Sequence, residues 1–265
     1  MNQKGGVGKT TTAVSLAAAL AVAEQPTLLV DLDPQGNATA GVSPDRAQLE
    51  GPSVYEVLLE GAPADQACRE TALPFLALLP GSPDLVGAEI ELVATANRQG
   101  RLRTALMPVL DRFRFILVDC PPSLGLLTLN ALVAADAALI PLQCEYFALE
   151  GLAQLMRTLD LIRERANPHL AIEGIVFTMF DGRTSLAAQV RGEVERYFGE
   201  HLFRTVIPRN VRLTEAPSHG RSIVQYDVRS PGAVAYLELA KEVIAHDEAR
   251  PRSRARGPAA ATGGR

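Results

Sequence analysis

Residues 3–12 read Gln3-Lys4-Gly5-Gly6-Val7-Gly8-Lys9-Thr10-Thr11-Thr12, and a helix pattern rich in Ala and Leu follows them. Closely spaced glycines let backbone N–H groups converge on an anion, because no Cβ atoms obstruct the approach. The helix behind them adds the positive end of its dipole. Lys9 is placed to reach the β- and γ-phosphates of a nucleoside triphosphate, and the Thr10 hydroxyl to bind Mg²⁺. The sequence therefore predicts a phosphate-binding loop, with a second lysine, Lys4, at its start.

Acidic residues follow two of the apolar segments that are typical of buried strands. Asp31 and Asp33 come after residues 27–30, and Asp119 comes after residues 115–118. In doubly wound sheets the ligand lies at the carboxyl ends of the strands. We expect Asp119 to bind Mg²⁺ through a water, Asp31 to hold the ligands of Mg²⁺ indirectly, and Asp33 to orient the attacking water.

Helix and strand patterns alternate along the chain, as folds built on a parallel sheet require. We expect an α/β fold of the P-loop NTPase type, a doubly wound and mostly parallel sheet with helices on both faces. The predicted strands cover residues 27–30, 75–79, 115–118, 137–142, 172–179 and 203–207. The predicted helices cover residues 10–24, 53–60, 84–94, 99–111, 124–133, 148–165, 185–198 and 232–246.

The two ends of the chain carry separate expectations. A phosphate-binding loop normally joins a strand to a helix, and only Met1 and Asn2 precede Gln3. We expect the first strand to be missing from this sequence and the true start of translation to lie upstream. Residues 1–246 are predicted to form one nucleotide-binding domain. Residues 247–265 contain Arg, Pro, Ala and Gly in excess and are predicted to be disordered.

Charge and composition limit the classes of function. The 265 residues are 47% apolar with a net charge of −4, which is ordinary for a globular protein. The segment from Asp247 to Arg265 has two acids and five arginines, a net charge of +3, so the remainder carries −7. Binding to nucleic acid must therefore rest on a local basic patch. The three cysteines have no metal-binding spacing and are interpreted as reduced packing residues in the cytosol.

Six motifs, in order, resemble those of the ParA/Soj family of chromosome- and plasmid-partitioning ATPases, within the wider group that includes MinD. The resemblance covers residues 1–246. The motifs are Lys4-Gly5-Gly6-Val7-Gly8-Lys9-Thr10, Val30-Asp31-Leu32-Asp33-Pro34-Gln35-Gly36-Asn37, Val118-Asp119-Cys120-Pro121-Pro122-Ser123, Gln143-Cys144-Glu145-Tyr146, Thr178-Met179-Phe180-Asp181-Gly182-Arg183 and Ile207-Pro208-Arg209-Asn210-Val211-Arg212-Leu213.

The resemblance implies a weak ATPase that uses ATP and Mg²⁺ and forms a sandwich homodimer in its ATP state. Lys4 matches the family's signature lysine, which reaches the partner's nucleotide and would act like an arginine finger supplied in trans. The implied catalytic residues are Lys4, Lys9 and Asp33, and the implied metal site is Thr10 with Asp31 and Asp119. The implied nucleotide-binding residues are Lys4, Gly5, Gly6, Val7, Gly8, Lys9, Thr10 and Thr11, with Pro208 and Asn210 near the adenine.

The resemblance also implies two macromolecular partners. The ATP-bound dimer would bind double-stranded DNA without sequence preference, and a ParB-like protein would stimulate hydrolysis through a basic N-terminal segment. Arg183, Arg209, Arg212 and Arg221 are the candidate DNA contacts, because phosphates need only cationic charge and reach. We expect a cytoplasmic, nucleoid-associated protein that segregates chromosome or plasmid origins and has no membrane partner.

Two other functions use the same kind of loop. A MinD-like regulator that cycles on the membrane would need an amphipathic C-terminal helix, and no Leu, Ile, Phe or Trp follows Ile244. An ATP-dependent enzyme that amidates or cyclises carboxylates would need a pocket for a second substrate. The sequence contains no residues that indicate such a pocket.

Overall fold

The computed structural model describes residues 6–43 and 50–250. Within them six strands form a sheet of four, in the order β2-β3-β1-β4, and a sheet of two, β5-β6. β1 runs parallel to β3 and β4, and β5 runs parallel to β6, whereas the short β2 is antiparallel to β3. The strands are β1 Thr27–Asp31, β2 Arg69–Glu70, β3 Leu76–Leu79, β4 Phe115–Asp119, β5 Ala137–Gln143 and β6 Ala171–Thr178.

Helices pack on both faces of these strands. The helices are α1 Lys9–Val22, α2 Asn37–Val42, α3 Val54–Leu59, α4 Ala64–Ala67, α5 Leu85–Val93, α6 Arg101–Leu106, α7 Leu126–Ala134, α8 Ala148–Arg165, α9 Ser185–Phe198, α10 Arg212–Glu215, α11 Ile223–Tyr226 and α12 Pro231–Ala249. Because side chains alternate along a strand, β1 serves two cores. Leu29 packs with residues of α1 and α12, while Leu28 and Val30 pack with residues of α3, α5 and α7. The predicted fold, an α/β protein of the P-loop type with helices on both faces, is confirmed.

The strand predicted for residues 203–207 is wrong. Phe203 and Ile207 donate backbone hydrogen bonds to Ile175 and Phe177 of β6 at 3.0 and 2.8 Å, so the segment lies beside that strand. Between them, the N–H groups of Arg204 and Thr205 donate to the Glu242 carboxylate of α12 at 2.9 and 2.8 Å. Two consecutive amides are thus bound to a side chain, and only isolated bridges form on either side of them, from Leu202 to Ile175 of β6 and from Pro208 to Phe180.

The helix predicted for residues 99–111 is shorter than expected. α6 ends at Leu106, and residues Met107–Arg112 form a 3-10 helix that contains Pro108. Proline has no N–H to donate and its ring clashes with the preceding turn, so a regular α-helix does not continue through it. The turn-like α2, α4, α10 and α11 carry too short a pattern to be predicted.

The expectations about the chain ends stay predictions. The missing first strand concerns the segment before Gly6, which lies outside the described residues. Of the tail predicted to be disordered, residues 247–265, the structure describes only residues 247–250. α12 continues three residues past the predicted domain boundary at 246, to Ala249. There Asp247 and Glu248 bind the Arg114 guanidinium at 2.9 and 3.2 Å. None of the helices in the described part of the chain is both long and apolar enough to cross a bilayer.

Candidate nucleotide-binding site

The described part of the phosphate loop has the backbone of an anion cradle. Gly6 and Gly8 have φ angles of +80° and +82°, a region that favours glycine. A Cβ built on Gly6 would meet none of the described atoms within 4 Å, so the space beside it is open. The Val7 carbonyl accepts a buried hydrogen bond of 2.8 Å from the Thr178 hydroxyl at the end of β6. Lys4 and Gly5 lie outside the described residues.

Helix α1 points its N-terminus at this cradle. Its N-cap is Gly8, no side chain caps its first turn, and that turn contains no acid. The first N–H groups of a helix have no intrahelical acceptor, so Lys9, Thr10 and Thr11 present donors that suit a phosphate. A buried hydrogen bond of 3.0 Å between the Thr12 and Tyr236 hydroxyls fixes α1 against α12. The helix is therefore held rigidly where the loop ends.

The three predicted acids converge at the carboxyl end of the four-stranded sheet. Asp31 of β1 and Asp119 of β4 are register partners on adjacent parallel strands. The Leu32 amide donates to the Asp119 carbonyl at 3.0 Å, which continues the pairing past the strand end. Asp31, Asp33 and Asp119 are all buried, with at most 8% of each residue exposed. The predicted meeting of strand-end carboxylates is thus present in the structure.

Asp31 uses both carboxylate oxygens within the protein. Its Oδ2 accepts from the Thr39 N–H and the Thr39 hydroxyl, both at 2.7 Å, and its Oδ1 accepts from the Asp33 N–H at 3.1 Å. The Thr39 hydroxyl in turn accepts from the Gly81 N–H at 3.0 Å. Burial raises the pKa of Asp31, and these hydrogen bonds oppose that shift. Asp31 therefore positions the turn that carries Asp33, and its indirect role in the metal site stays a prediction.

Thr39 is a residue that the sequence did not single out, and it supports a prediction. Thr39→Val keeps the shape but leaves a buried carboxylate oxygen and the Gly81 amide without the hydroxyl. We expect the free energy of unfolding to fall by about 1–3 kcal/mol, and ATP turnover to fall because Asp33 loses its support. Thr39→Ser should restore most of both quantities. Urea unfolding and steady-state turnover measure the effect, and equal turnover in the Val and Ser variants would contradict it.

Asp33 is held in a turn at the mouth of the site. Its Oδ1 accepts from the Gln35 N–H at 2.9 Å, and its carbonyl accepts from the Gly36 N–H at 2.8 Å. The first contact orients the carboxylate, whose charge acts on Lys9 at the start of α1. Burial lowers the pKa of Lys9, and the charges of Asp119 and Asp33 oppose that shift. The arrangement suits a carboxylate that orients a water at the γ-phosphate.

Asp119 is the carboxylate that most needs a cation. Its Oδ2 is fully buried and has no hydrogen-bond partner among the described residues. Burial raises its pKa to about 7, a hydrogen bond from Thr10 lowers it, and the charges of Asp31 and Asp33 raise it further. A buried oxygen of this kind fits Mg²⁺ or a water bound to it. The described residues hold no cluster of three His, Cys, Asp or Glu side chains fit for a metal, but Mg²⁺ commonly takes few protein ligands besides phosphates and water.

The raised pKa of Asp119 predicts a pH-dependent stability. Its folded pKa of about 7 lies above the usual 3.8, so the nucleotide-free protein loses stability as the pH rises between these values. Asp119→Asn removes the buried charge, and we expect it to raise the free energy of unfolding by about 1–3 kcal/mol at pH 8. The difference should vanish near pH 4, while ATP hydrolysis is lost. Denaturant titrations at pH 5 and pH 8 check this, and a difference that does not depend on pH would contradict it.

Two of the three cysteines have strongly raised pKa values, and one of them, Cys120, follows Asp119. Burial, and then the neighbouring charge of Asp119, raise the pKa of the Cys120 thiol to about 12. Burial also raises the pKa of Cys144 to about 11. Both thiols are therefore protonated near neutral pH, which agrees with their interpretation as packing residues.

The residues predicted near the adenine lie beside the loop. Pro208 forms a parallel bridge with Phe180, and the Arg209 N–H donates to the Phe180 carbonyl at 3.3 Å. Thr178, which binds the Val7 carbonyl, is two residues before Phe180. The Asn210 side chain accepts from the Arg212 N–H at 2.9 Å, which orients the turn. The position fits the prediction for Pro208 and Asn210, and their contact with a base stays a prediction.

The four candidate DNA-binding arginines are exposed but differ in their partners. Arg183 binds both oxygens of Asp181 at 2.8 and 2.7 Å, which lowers the pKa of Asp181 to about 2. Arg212 binds Glu215 at 2.8 Å and lies 3.6 Å from Asp227. Arg209 and Arg221 make no ion pair within the described residues, and Arg209 is close enough for its charge to act on Asp181.

Sequence reasoning assigned no role to three residues that shape the site. Thr39 and Gly81 support Asp31 from two different segments, and Thr178 anchors the phosphate loop. Thr178 carries a usable signal, because it is a polar residue at the end of an apolar strand. Thr39 and Gly81 carry no such signal, because their partners are distant in the sequence. Thr39 is 8 residues from Asp31, and Gly81 is 42 residues from Thr39.

Comparison with known proteins identifies the family. Residues 1–172 match a protein family described as "AAA domain". The chain is 54% identical over 254 residues to the chromosome partitioning protein ParA of Myxococcus xanthus, covering 96% of this chain and 89% of the relative. It is 53% identical over 245 residues to the sporulation initiation inhibitor protein Soj of Bacillus subtilis, covering 92% and 96%.

Among solved structures, the cobyrinic acid a,c-diamide synthase of Mycobacterium smegmatis with a bound ATP analogue and magnesium has a TM-score of 0.80 to this chain. The two are 38% identical, and the match covers 94% of each. The MinD cell division ATPase of Pyrococcus furiosus has a TM-score of 0.75 at 27% identity, with 92% and 96% covered. By its loop, its strand-end acids and its similarity along nearly the whole chain, the protein belongs to the ParA/Soj family of chromosome-partitioning ATPases.

Proposed function

We propose that this ATPase forms a sandwich homodimer when it binds ATP, holds non-specific double-stranded DNA in that state, and is released when a ParB-like protein stimulates hydrolysis. Repeated cycles would segregate chromosome or plasmid origins on the nucleoid. The observation that most supports a hydrolytic site is the buried Asp119 oxygen without a partner among the described residues, beside an open glycine cradle. The names of the relatives support partitioning as the process.

The chemistry at one site divides among few groups. The Gly6–Gly8 backbone, the α1 N-terminus and Lys9 bind the phosphates, and their charge stabilises the transferring phosphoryl group. Thr10 and Asp119 would hold Mg²⁺, and Asp31 would hold the ligands of Mg²⁺ indirectly. Mg²⁺ would neutralise part of the phosphate charge. Asp33 orients the attacking water. Lys4 is proposed to come from the second copy of the chain, because its own loop already holds Lys9.

We expect the arginines proposed for DNA binding to make electrostatic contacts with phosphates. Arg183→Ala with Arg212→Ala should weaken binding equally for all DNA sequences. If each arginine meets one phosphate, a dimer loses four contacts, and the slope of log affinity against log salt falls by about 2–4. Part of the charge is already offset by Asp181 and Glu215, so the lower part of that range is expected.

A matched control is available for this prediction. Arg103→Ala with Arg157→Ala removes the same charge from exposed positions on α6 and α8. Its DNA affinity and salt slope should stay close to those of the unaltered protein. Fluorescence anisotropy with two unrelated DNA duplexes measures both pairs, and an equal loss in the two pairs would assign the effect to net charge alone.

The two alternative functions have separate tests. A MinD-like membrane cycle is supported by the structural similarity to the Pyrococcus furiosus protein, and any C-terminal amphipathic helix beyond Arg250 lies outside the described residues. ATP-dependent pelleting with anionic liposomes would favour it. Amide synthesis is the named reaction of the Mycobacterium smegmatis relative, and turnover that requires a carboxylate substrate would favour it.

One experiment tests the proposed function as a whole. The chain is incubated with ATP, DNA and the ParB-like protein of the same genome, and phosphate release and DNA retention are followed together. Stimulated hydrolysis that coincides with release from DNA supports the proposal. Hydrolysis that responds to neither DNA nor the ParB-like protein contradicts it.

A further inference from the structure

The outer side of helix α5 exposes three large apolar residues. Val86, Ile90 and Val93 are 69%, 78% and 56% exposed. Their spacing of four and three residues places them on one stripe of the helix. The opposite side of α5 is buried through Leu85, Ala88 and Leu92. A stripe of β-branched apolar side chains in water is unfavourable in an ordinary surface helix, which indicates a surface that binds something.

The surroundings of this stripe are strongly acidic. Residues 53–94 contain seven acids and one base, Arg69, a net charge of −6. The whole chain carries −4, so all other residues together carry +2. The acidity of the protein is thus concentrated in the segment from α3 to α5, whereas the candidate DNA-binding arginines lie beyond residue 180.

Three of these carboxylates act on one residue beside α5, Tyr55 of α3. The Tyr55 hydroxyl of α3 donates to Glu91 of α5 at 3.1 Å. That hydrogen bond, and then burial and the charges of Glu91, Glu60 and Asp84, raise the pKa of Tyr55. Glu91 contacts the Tyr55 hydroxyl directly, and Glu60 and Asp84 act on it through their charge. We define the α5 face as Val86, Ile90 and Val93 together with Glu60, Asp84 and Glu91.

The remaining neighbours set the limits of the α5 face. On the side of α7, Glu89 has one oxygen buried, with no hydrogen-bond partner among the described residues. At the C-terminal end of α5, the Arg98 guanidinium donates to the Val93 carbonyl, and the Arg101 guanidinium donates to the Leu58 carbonyl of α3. Acids therefore lie at both ends of α5, with Asp84 at its N-cap and Glu89 and Glu91 in its second half, and the nearest described cations are Arg98 and Arg101.

We propose that the α5 face docks a positively charged segment of another protein whose apolar side chains cover Val86, Ile90 and Val93. An apolar stripe with a carboxylate border matches a segment that carries both apolar and basic residues. DNA and anionic lipid surfaces would be repelled by the same carboxylates. A second copy of the chain would place this face against itself in a two-fold interface, where like charges meet.

The α5 face is linked to the catalytic acids through a short path. The Gly81 N–H donates to Thr39, which binds Asp31, and α5 begins four residues after Gly81. A segment that docks on α5 can therefore act on the turn that holds Asp33. The inference rests on the proposed function, because the segment that would bind the α5 face is the basic segment of the ParB-like protein.

The test replaces the stripe without disturbing the fold. Val86→Gln, Ile90→Gln and Val93→Gln are combined in one chain, because Gln is at least as favourable as Val or Ile in an exposed helix. The probe is a fluorescein-labelled peptide with the sequence of the basic N-terminal segment of the ParB-like protein from the same genome. We expect its Kd to rise at least about tenfold, and stimulation of hydrolysis by the full-length ParB-like protein to be lost. Basal turnover and DNA binding should be unchanged.

The matched control changes apolar residues of similar exposure elsewhere. Val22→Gln with Val234→Gln alters α1 and α12, where both residues are 48% exposed, and should leave peptide binding and stimulation intact. A second variant, Glu60→Gln with Asp84→Asn, should weaken peptide binding at low salt. The loss of affinity should be much smaller at about 0.5 M salt, because salt screens the charges that the variant removes.

The outcomes separate this inference from the proposed function. If peptide binding and stimulation persist in the triple Gln variant, the inference is overturned and the proposed function stands. The same holds if the peptide does not bind the unaltered protein. If the triple variant no longer forms the ATP-dependent dimer, the inference is overturned, and the α5 face is instead a contact with a second copy of the chain. If the unaltered protein is not stimulated by the ParB-like protein with DNA, the proposed function itself is contradicted.

Discussion

Asp33→Ala should lower stimulated ATP hydrolysis by about 100- to 1000-fold while ATP binding is retained. The Asp33 carboxylate accepts a hydrogen bond from the Gln35 N–H, and the Asp33 N–H donates to Asp31. The substitution leaves the glycine cradle, Lys9 and Asp119 in the chain, so ATP can still bind. A chain that binds ATP but cannot hydrolyse it should accumulate as a dimer on DNA. Phosphate release, with DNA retention measured after excess ADP is added, checks both parts.

The control for this prediction is Asp65→Ala, which removes an exposed carboxylate on α4. It should leave turnover and release from DNA unchanged. Asp33→Ala also loses one turn hydrogen bond, worth about 1 kcal/mol, so thermal unfolding has to show that the variant is folded. Rapid release of the folded variant from DNA would contradict the role of Asp33 in orienting water.

Lys4→Gln should abolish the stimulation of hydrolysis, a loss of about 100-fold or more, with little change in ATP affinity. Gln keeps a polar side chain of similar length and removes the positive charge. Lys9 of the same loop still binds the phosphates, so the nucleotide stays bound. The lost quantity is charge stabilisation in the transition state, which appears in kcat and not in the affinity for ATP.

Lys9→Gln provides the contrasting variant. It should lose ATP binding itself, because its ammonium group is the one predicted to reach the phosphates of its own chain. Equilibrium binding of a fluorescent ATP analogue separates the two lysines. If Lys4→Gln weakens nucleotide binding as much as Lys9→Gln does, the two lysines act on the same nucleotide from the same chain.

Much of the site could be predicted because it follows from local sequence and one rule of topology. Glycine spacing fixes the loop, and parallel strands bring their carboxyl ends to one edge of a sheet, so Asp31 and Asp119 must meet. The register pairing of these two residues confirms that reasoning. The order of the apolar segments was sufficient for the α/β fold and for helices on both faces.

The parts that could not be predicted depend on contacts between distant residues. The segment at 203–207 has the pattern of a strand, but Glu242 of α12 takes two of its amides. Thr39 supports Asp31 through a hydroxyl that no spacing rule marks. The exposed stripe on α5 reads in the sequence as an apolar helix, and only the fold shows that Val86, Ile90 and Val93 face water.

The most direct test of the central claim, that each active site is completed by a second copy of the chain, mixes two inactive variants. Lys4→Gln retains Asp33, and Asp33→Ala retains Lys4, so a mixed dimer contains one complete site only if Lys4 acts on the partner's nucleotide. Equal amounts of the two variants, with ATP, DNA and the ParB-like protein, should recover about one quarter of the wild-type turnover per chain, because half of the dimers are mixed and each has one complete site. Turnover that stays at the level of the separate variants would contradict the claim.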